Sequence, residues 1–170
     1  MPTTSRGYRY PAASSAPNVP LDLGNLAADV DADIAALIAW TDYTPTWTAA
    51  TTNPVAGANA TLYGRYQQIG KRITYVGYIS MGNTTTYGSG AWLISLPVTA
   101  KTVATVQALY PGSAYLFDNS VTANRQPAAA VLYDTTHLFL STMSGSAAAT
   151  VPFTWATSDA AHWSITYEAA

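Results

Sequence analysis

Residues Thr61 to Met81 read TLYGRYQQIGKRITYVGYISM, and this stretch decides the fold. Two runs rich in Tyr, Ile, Val and Thr flank the turn cluster QIGKR. Such residues favour a pleated surface, and a period of two with a glycine turn between the runs predicts a hairpin. In Ile73–Met81 both faces carry apolar residues: Ile73, Tyr75 and Ile79 on one, Val76 and Tyr78 on the other. A strand apolar on both faces is central and covered twice. A neighbouring subunit is one source of the second cover.

The same signature extends in both directions. TWT, AWLISLP, VATVQAL, AYLFD, AAAVLYD, THLFLSTM and HWSITYE read as further short strands. Turn clusters such as NPVAGAN, NTTTYGSG, YPGS, DNSVTANRQP and MSGSAAAT separate them. Many short strands without an intervening helix predict a mainly β, jelly-roll-like sandwich over residues 43–170.

Upstream, the charges divide the chain. Residues 1–20 hold Arg6 and Arg9 and no acid. Residues 21–42 hold Asp22, Asp29, Asp31, Asp33 and Asp42 and no base. The first zone, with PAASSAPNVP at its end, predicts an extended, proline-stiffened arm. The second predicts one short α-helix. Leu23, Leu26, Val30, Ile34 and Leu37 recur at steps of 3, 4, 4 and 3, so they form one stripe. Pro20 suits a helix start, and Asp22 suits the positive end of the helix dipole. A lone helix of this length is marginal in water, so the stripe needs a partner. Either its own β domain or a parallel bundle of identical helices supplies one.

The 170 residues carry a net charge of −2, and 9% are charged. That composition points away from nucleic acid and anionic membrane as partners. The apolar run AALIAW is too short to span a bilayer. No cysteine is present, so disulfides and thiolate chemistry are absent. With so few charges, part of the surface is expected to be buried against other copies of the chain.

Chemistry-bearing residues are few. Only two histidines occur. His137 in DTTHLFL reads as a strand residue. Ser158, Asp159 and His162 lie in one loop, and neighbours in one loop seldom reach triad geometry. The β zone offers Asp118, Asp134, Asp159 and Glu168, of which the first two adjoin turns where Asp bonds its own backbone. No metal-ligand spacing and no phosphate loop is visible. The expectation is a non-enzymatic protein with no cofactor and no metal. Lys71 and Arg72 form the only adjacent basic pair of the folded zone, at a hairpin turn.

Aromatics are abundant: twelve Tyr, five Trp and three Phe. Trp92, Trp163, Phe139 and Phe153 read as core. Tyr87 in NTTTYGSG and Tyr110 in LYPGS sit in turns and are the candidates for contact with a receptor, since Tyr supplies amphipathic contact area at low entropy cost.

The string PTTSRGYRYPAASSAPNVPLDLGNLAADVDADI resembles the N-terminus of small virion proteins of actinobacterial phages, described as minor tail or tail-fibre proteins. YTPTWT, TLYGRYQQIGKRI, WLISLPV, GSAYLFDNSVTANR and PFTWATSDAAHWSITYEA are similar to the strands and turns of their C-terminal domains. The resemblance implies a homotrimer on the virion surface, anchored by the arm to a capsid or tail protein. Arg6, Gly7, Tyr8, Arg9, Tyr10 and Pro11 would be the particle-anchoring element. Leu23, Leu26, Val30, Ile34 and Leu37 would gather three helices. The spacer before YTPTWT is only Ala35 to Asp42, where many relatives carry a longer helical one. A short tail fibre or receptor-binding tip is therefore the leading expectation, with a host surface glycan as a further partner. The alternatives are a capsid decoration protein and a carbohydrate-binding or carbohydrate-degrading β domain.

Overall fold

A computed structural model describes residues 1–16, 18–103, 110–121 and 124–170. The chain divides into two compact units, Met1–Ala39 and Trp40–Ala170. The sequence boundaries at 20/21 and 42/43 shift accordingly.

In the first unit, α1 spans Val19–Ile38. It starts two residues before the expected start because Asn18 is the cap: its side chain accepts a hydrogen bond from the Leu21 amide at 3.3 Å. Pro20 lies in the first turn, where a missing N–H costs nothing. No residue of α1 is buried. The expected extended arm is not what residues 2–10 form. They close into a small hairpin in which Thr3 pairs with Arg9. The Thr4 amide donates to Tyr8 O and the Gly7 amide to Thr4 O, both at 2.9 Å. Gly7 turns the chain at φ +89°, a backbone setting that side chains disfavour.

The second unit is mainly β. Its strands are β1 (Thr41–Tyr43), β2 (Trp47–Ala49), β3 (Thr61–Ile69), β4 (Arg72–Ser80), β5 (Trp92–Ser95), β6 (Ser113–Asp118), β7 (Asn124–Leu132), β8 (His137–Thr142), β9 (Gly145–Ser146) and β10 (Ala160–Glu168). All pairings are antiparallel. The order is β1-β3-β4-β10-β6-β7-β8-β5-β2, with β9 beside β8. The strands join in one curled antiparallel sheet. The hairpin read from Thr61–Met81 is β3–β4, with Ile69 opposite Arg72. The expected strand VATVQAL lies almost wholly outside the described residues.

The curl brings the two ends of the sheet together. β1 and β2 are consecutive in the chain yet sit at opposite ends of the strand order. Tyr43 Oη lies 2.6 Å from Ser95 Oγ on β5 and donates to Leu96 O at 3.1 Å. The Thr46 amide donates to Ser95 Oγ at 2.8 Å, and the Ser95 amide to Thr46 O at 3.0 Å.

Inside the curl, alternate residues build the core. Ile73, Tyr75 and Ile79 of β4, Trp163, Ile165 and Tyr167 of β10, and Leu138 and Leu140 of β8 are buried. Trp92 meets Trp47 edge-on at 4.7 Å and Trp155 at 4.8 Å. Trp163 faces small partners across the ladder, Gly77 on β4 and Ala114 on β6. A Cβ on Gly77 would stand 2.5 Å from Trp163 Cζ2, so only glycine leaves room for the indole. Of the four expected core aromatics, Trp92 and Trp163 are buried. Phe153 is half-buried against Trp155. Phe139 departs from the reading: it alternates with buried Leu138 and Leu140, lies half-buried on the outer face, and meets Tyr133 edge-on.

Candidate functional site

In the N-terminal unit the opposite charges of the two zones meet. Arg9 grips Asp29: Nη2 donates to Oδ1 at 2.7 Å, and Nε to both carboxylate oxygens at 3.0 Å. The Arg9 amide also donates to Asp29 Oδ2 at 2.8 Å, and Nη2 reaches Asn25 O at 3.2 Å. The planar guanidinium fork suits such bidentate recognition. Hydrogen bonding from Arg9, side chain first and then amide, holds the Asp29 carboxyl below its ordinary pKa. One helical turn on, Tyr8 Oη donates to Asp33 Oδ2 at 2.7 Å. Arg6 stands 4.0 Å from the same carboxylate, with its side chain 75% exposed.

The six residues expected to anchor the chain take different places in this unit. Tyr8 and Arg9 spend their polar groups on α1 of their own chain. Gly7 serves the hairpin turn. Arg6, Tyr10 and Pro11 remain on the outside. Tyr8, Arg9, Tyr10 and Pro11 join Val19 and Leu23 in the wall of a groove of about 470 Å³. The pairing of Arg9 with Asp29 spans 20 residues, so no local motif announced it. The all-basic zone beside an all-acidic one was the available signal.

The stripe on α1 is present as a face. Leu23, Leu26, Val30 and Ile34 are 37–61% exposed. A depression of about 510 Å³ runs along them, lined also by Ala27 and Asp31. Leu37 continues the stripe at 41% exposed.

On the β unit, the outer face of the sheet carries an aromatic row that the sequence reading missed. Tyr63, Tyr78, His162 and Tyr115 are register partners on β3, β4, β10 and β6. His162 stacks between Tyr115 at 4.5 Å and Tyr78 at 5.5 Å, and Tyr63 meets Tyr78 edge-on at 6.2 Å. Tyr78, His162 and Tyr115 thus form one stack, with Tyr63 set against its end. Burial, with the Arg125 charge second, pushes the His162 pKa down.

The two turn tyrosines chosen as receptor contacts are both half-buried and packed on the core. Tyr87 stacks on Trp92 at 6.4 Å, and its backbone carbonyl accepts from the Trp92 indole N–H at 3.0 Å. Tyr110 borders an open pocket of about 290 Å³ with Lys71, Arg72, Thr166, Tyr167 and Glu168. The fold thus gathers Tyr110 and the Lys71–Arg72 pair, read separately from the sequence, into one place.

Ser158, Asp159 and His162 do not form a triad. His162 lies on the outer face, whereas Asp159 is fully buried. Asp159 Oδ1 accepts from the amides of Asn119 at 3.0 Å and Ser120 at 2.8 Å, and Oδ2 from the Ala156 amide at 2.7 Å. Ser120 Oγ donates to Asp159 Oδ2 and to Asp118 Oδ1, each at 3.3 Å. Asp134 binds its own turn, accepting from the amides of Thr136 and His137 at 2.7 Å. Among the described residues no group of three acidic, histidine or cysteine side chains has metal-binding geometry. Among the described residues no helix is long and apolar enough to cross a membrane.

Comparison with protein-family models, with curated proteins and with solved structures finds no match to this chain.

Proposed function

We propose that this chain is a non-enzymatic structural protein of a phage virion, a short tail fibre or receptor-binding tip. It is held to the particle by its N-terminal unit and assembled as a homotrimer through α1. The observation that carries the reading is the apolar stripe Leu23, Leu26, Val30 and Ile34, exposed on a helix none of whose residues is buried. Such a stripe is stabilised when identical helices bury it against one another. The hairpin supports the same assignment. It occupies Asp29 and Asp33, leaving the apolar residues of α1 uncovered by charge pairs.

Anchoring falls to the surface the hairpin and α1 make together. Arg6, Tyr10 and Pro11 project from it beside the groove that Val19 and Leu23 border. Three copies on one axis multiply a weak contact of this kind by avidity. Particle attachment is expected to need the folded N-terminal unit, since Asp29 holds Arg9 in the wall of the groove.

Two measurements test the reading. The mass of the intact protein by light scattering is expected to be three times that of the chain, and that of Leu26→Asp to be lower. A single-chain mass for the intact protein refutes the assembly. Imaging of particles carrying a labelled copy is expected to place it on the tail. Label on the head shell instead selects the decoration role, and unlabelled particles reject virion attachment.

A further inference from the structure

We infer that the β unit carries a binding site for an acidic polysaccharide at the end of the sheet where β4 begins and β10 ends. The inference names the ligand class of the proposed receptor-binding tip, and so rests on that reading. Main-chain bonds build the site. The Ala169 amide donates to Lys71 O at 2.7 Å, and the Lys101 amide to Glu168 O at 2.8 Å. Arg72 is the register partner of Glu168. These bonds concentrate Lys71, Arg72 and Lys101, three of the five cations of residues 43–170, around one pocket.

The charge balance of the pocket favours an anion. Its lining holds one acid, Glu168, and Lys101 Nζ already donates to Glu168 Oε1 at 2.8 Å. Lys71 and Arg72 are exposed, and neither has an ion pair among the described residues. They are left to meet a carboxylate or phosphate, for which the guanidinium supplies a fork of donors. Tyr110 and the exposed Thr166 hydroxyl supply an apolar edge and a hydrogen-bonding group, the combination a sugar ring requires.

A polymer is favoured over a small anion because a second depression lies further along β10. The outward residues Thr166, Ser164 and His162 lead from the pocket to this depression of about 190 Å³, bordered by Ser113 and Tyr115. From Thr166 to His162 is about 13 Å at a strand's rise per residue, room for more than one sugar unit.

The test is calorimetric titration of the full-length protein with three oligomers of matched length: oligogalacturonate, phosphorylated maltooligosaccharide and neutral maltooligosaccharide. Binding is expected for at least one acidic oligomer and not for the neutral one. The acid that binds identifies the charged group. Lys71→Gln and Arg72→Gln are each expected to weaken binding about tenfold, and Tyr110→Ala to weaken it too. Arg6→Gln removes the same charge from the N-terminal unit and is expected to leave affinity unchanged. Absence of binding to both acids overturns the inference, as does equal binding of the neutral oligomer. An equal loss in Arg6→Gln also overturns it, because it marks general attraction. Each variant is measured singly, so a failure to fold in one leaves the others decisive. The titration uses isolated protein. Failure here leaves particle attachment standing, and failure of attachment leaves this binding measurable.

Discussion

Replacing Asp159 by alanine separates a structural carboxylate from a catalytic one. Asp159 is fully buried, and its two oxygens accept three backbone amides and the Ser120 hydroxyl. Hydrogen bonds to a charged group contribute about 1.5–3 kcal/mol each, less where water replaces the lost partner. Asn119 and Ser120 are exposed residues, so water reaches their amides after the change, and they count about 1 kcal/mol each. The Ala156 amide and the vacated space add about 1–3 kcal/mol. Asp159→Ala is therefore expected to lose about 3–5 kcal/mol, a large part of the 5–15 kcal/mol that holds an ordinary domain together. Asp159→Asn keeps one acceptor oxygen and is expected to lose about 2 kcal/mol. Ser120→Ala removes only the two 3.3 Å contacts and is expected to lose less than about 1 kcal/mol. Urea unfolding followed by tryptophan fluorescence reads these differences as midpoint shifts at constant slope. An Asp159→Ala protein within about 1 kcal/mol of the parent refutes the reasoning and returns Asp159 to the list of groups free for chemistry.

Gly77→Ala forces a methyl against Trp163 Cζ2 at 2.5 Å and is expected to cost about 1–3 kcal/mol in the same assay. The His162 pKa lies below its ordinary value, so the folded state resists protonation. Its contribution is fully present above the unfolded pKa and is lost as pH falls through the folded one. NMR titration is expected to find a depressed midpoint that rises in Arg125→Gln. The pKa of Asp29 is lowered too, so the Arg9–Asp29 clasp holds above the ordinary carboxylate pKa and is lost as pH falls through the depressed one. The Arg9 side-chain N–H resonance is expected to lose its protection in that range, and in Asp29→Asn at neutral pH. A resonance unchanged in Asp29→Asn counts against the clasp.

Local chemistry was legible in the sequence, and distant pairing was not. The period of two in β3 and β4 and the stripe of α1 announce themselves within a few residues, because each reports one element's own faces. Curling of the sheet depends on contacts such as Tyr43 with Ser95, 52 residues apart, which no local period encodes. The same limit hid the row Tyr63, Tyr78, His162 and Tyr115, whose members lie on four strands. Phe139 was taken for core because apolar runs in Thr- and Ser-rich strands do not reveal which parity faces inward. The arm was read as extended from its prolines. Yet its first ten residues turn at Gly7, and Arg9 finds a carboxylate 20 residues on.

Where the chain enters the β unit bears on mechanics. The N-terminal unit is tethered to β1, a three-residue strand whose ladder partner is β3, at the seam where the curled sheet meets itself. Tension drawn through that tether loads the seam first. The Tyr43–Ser95 contact and three residue pairs yield before the nine-residue ladders of β4 with β3 and β10. The seam is in this sense a mechanical fuse: a sharp pull opens the rim of the sheet and spares the long ladders behind it.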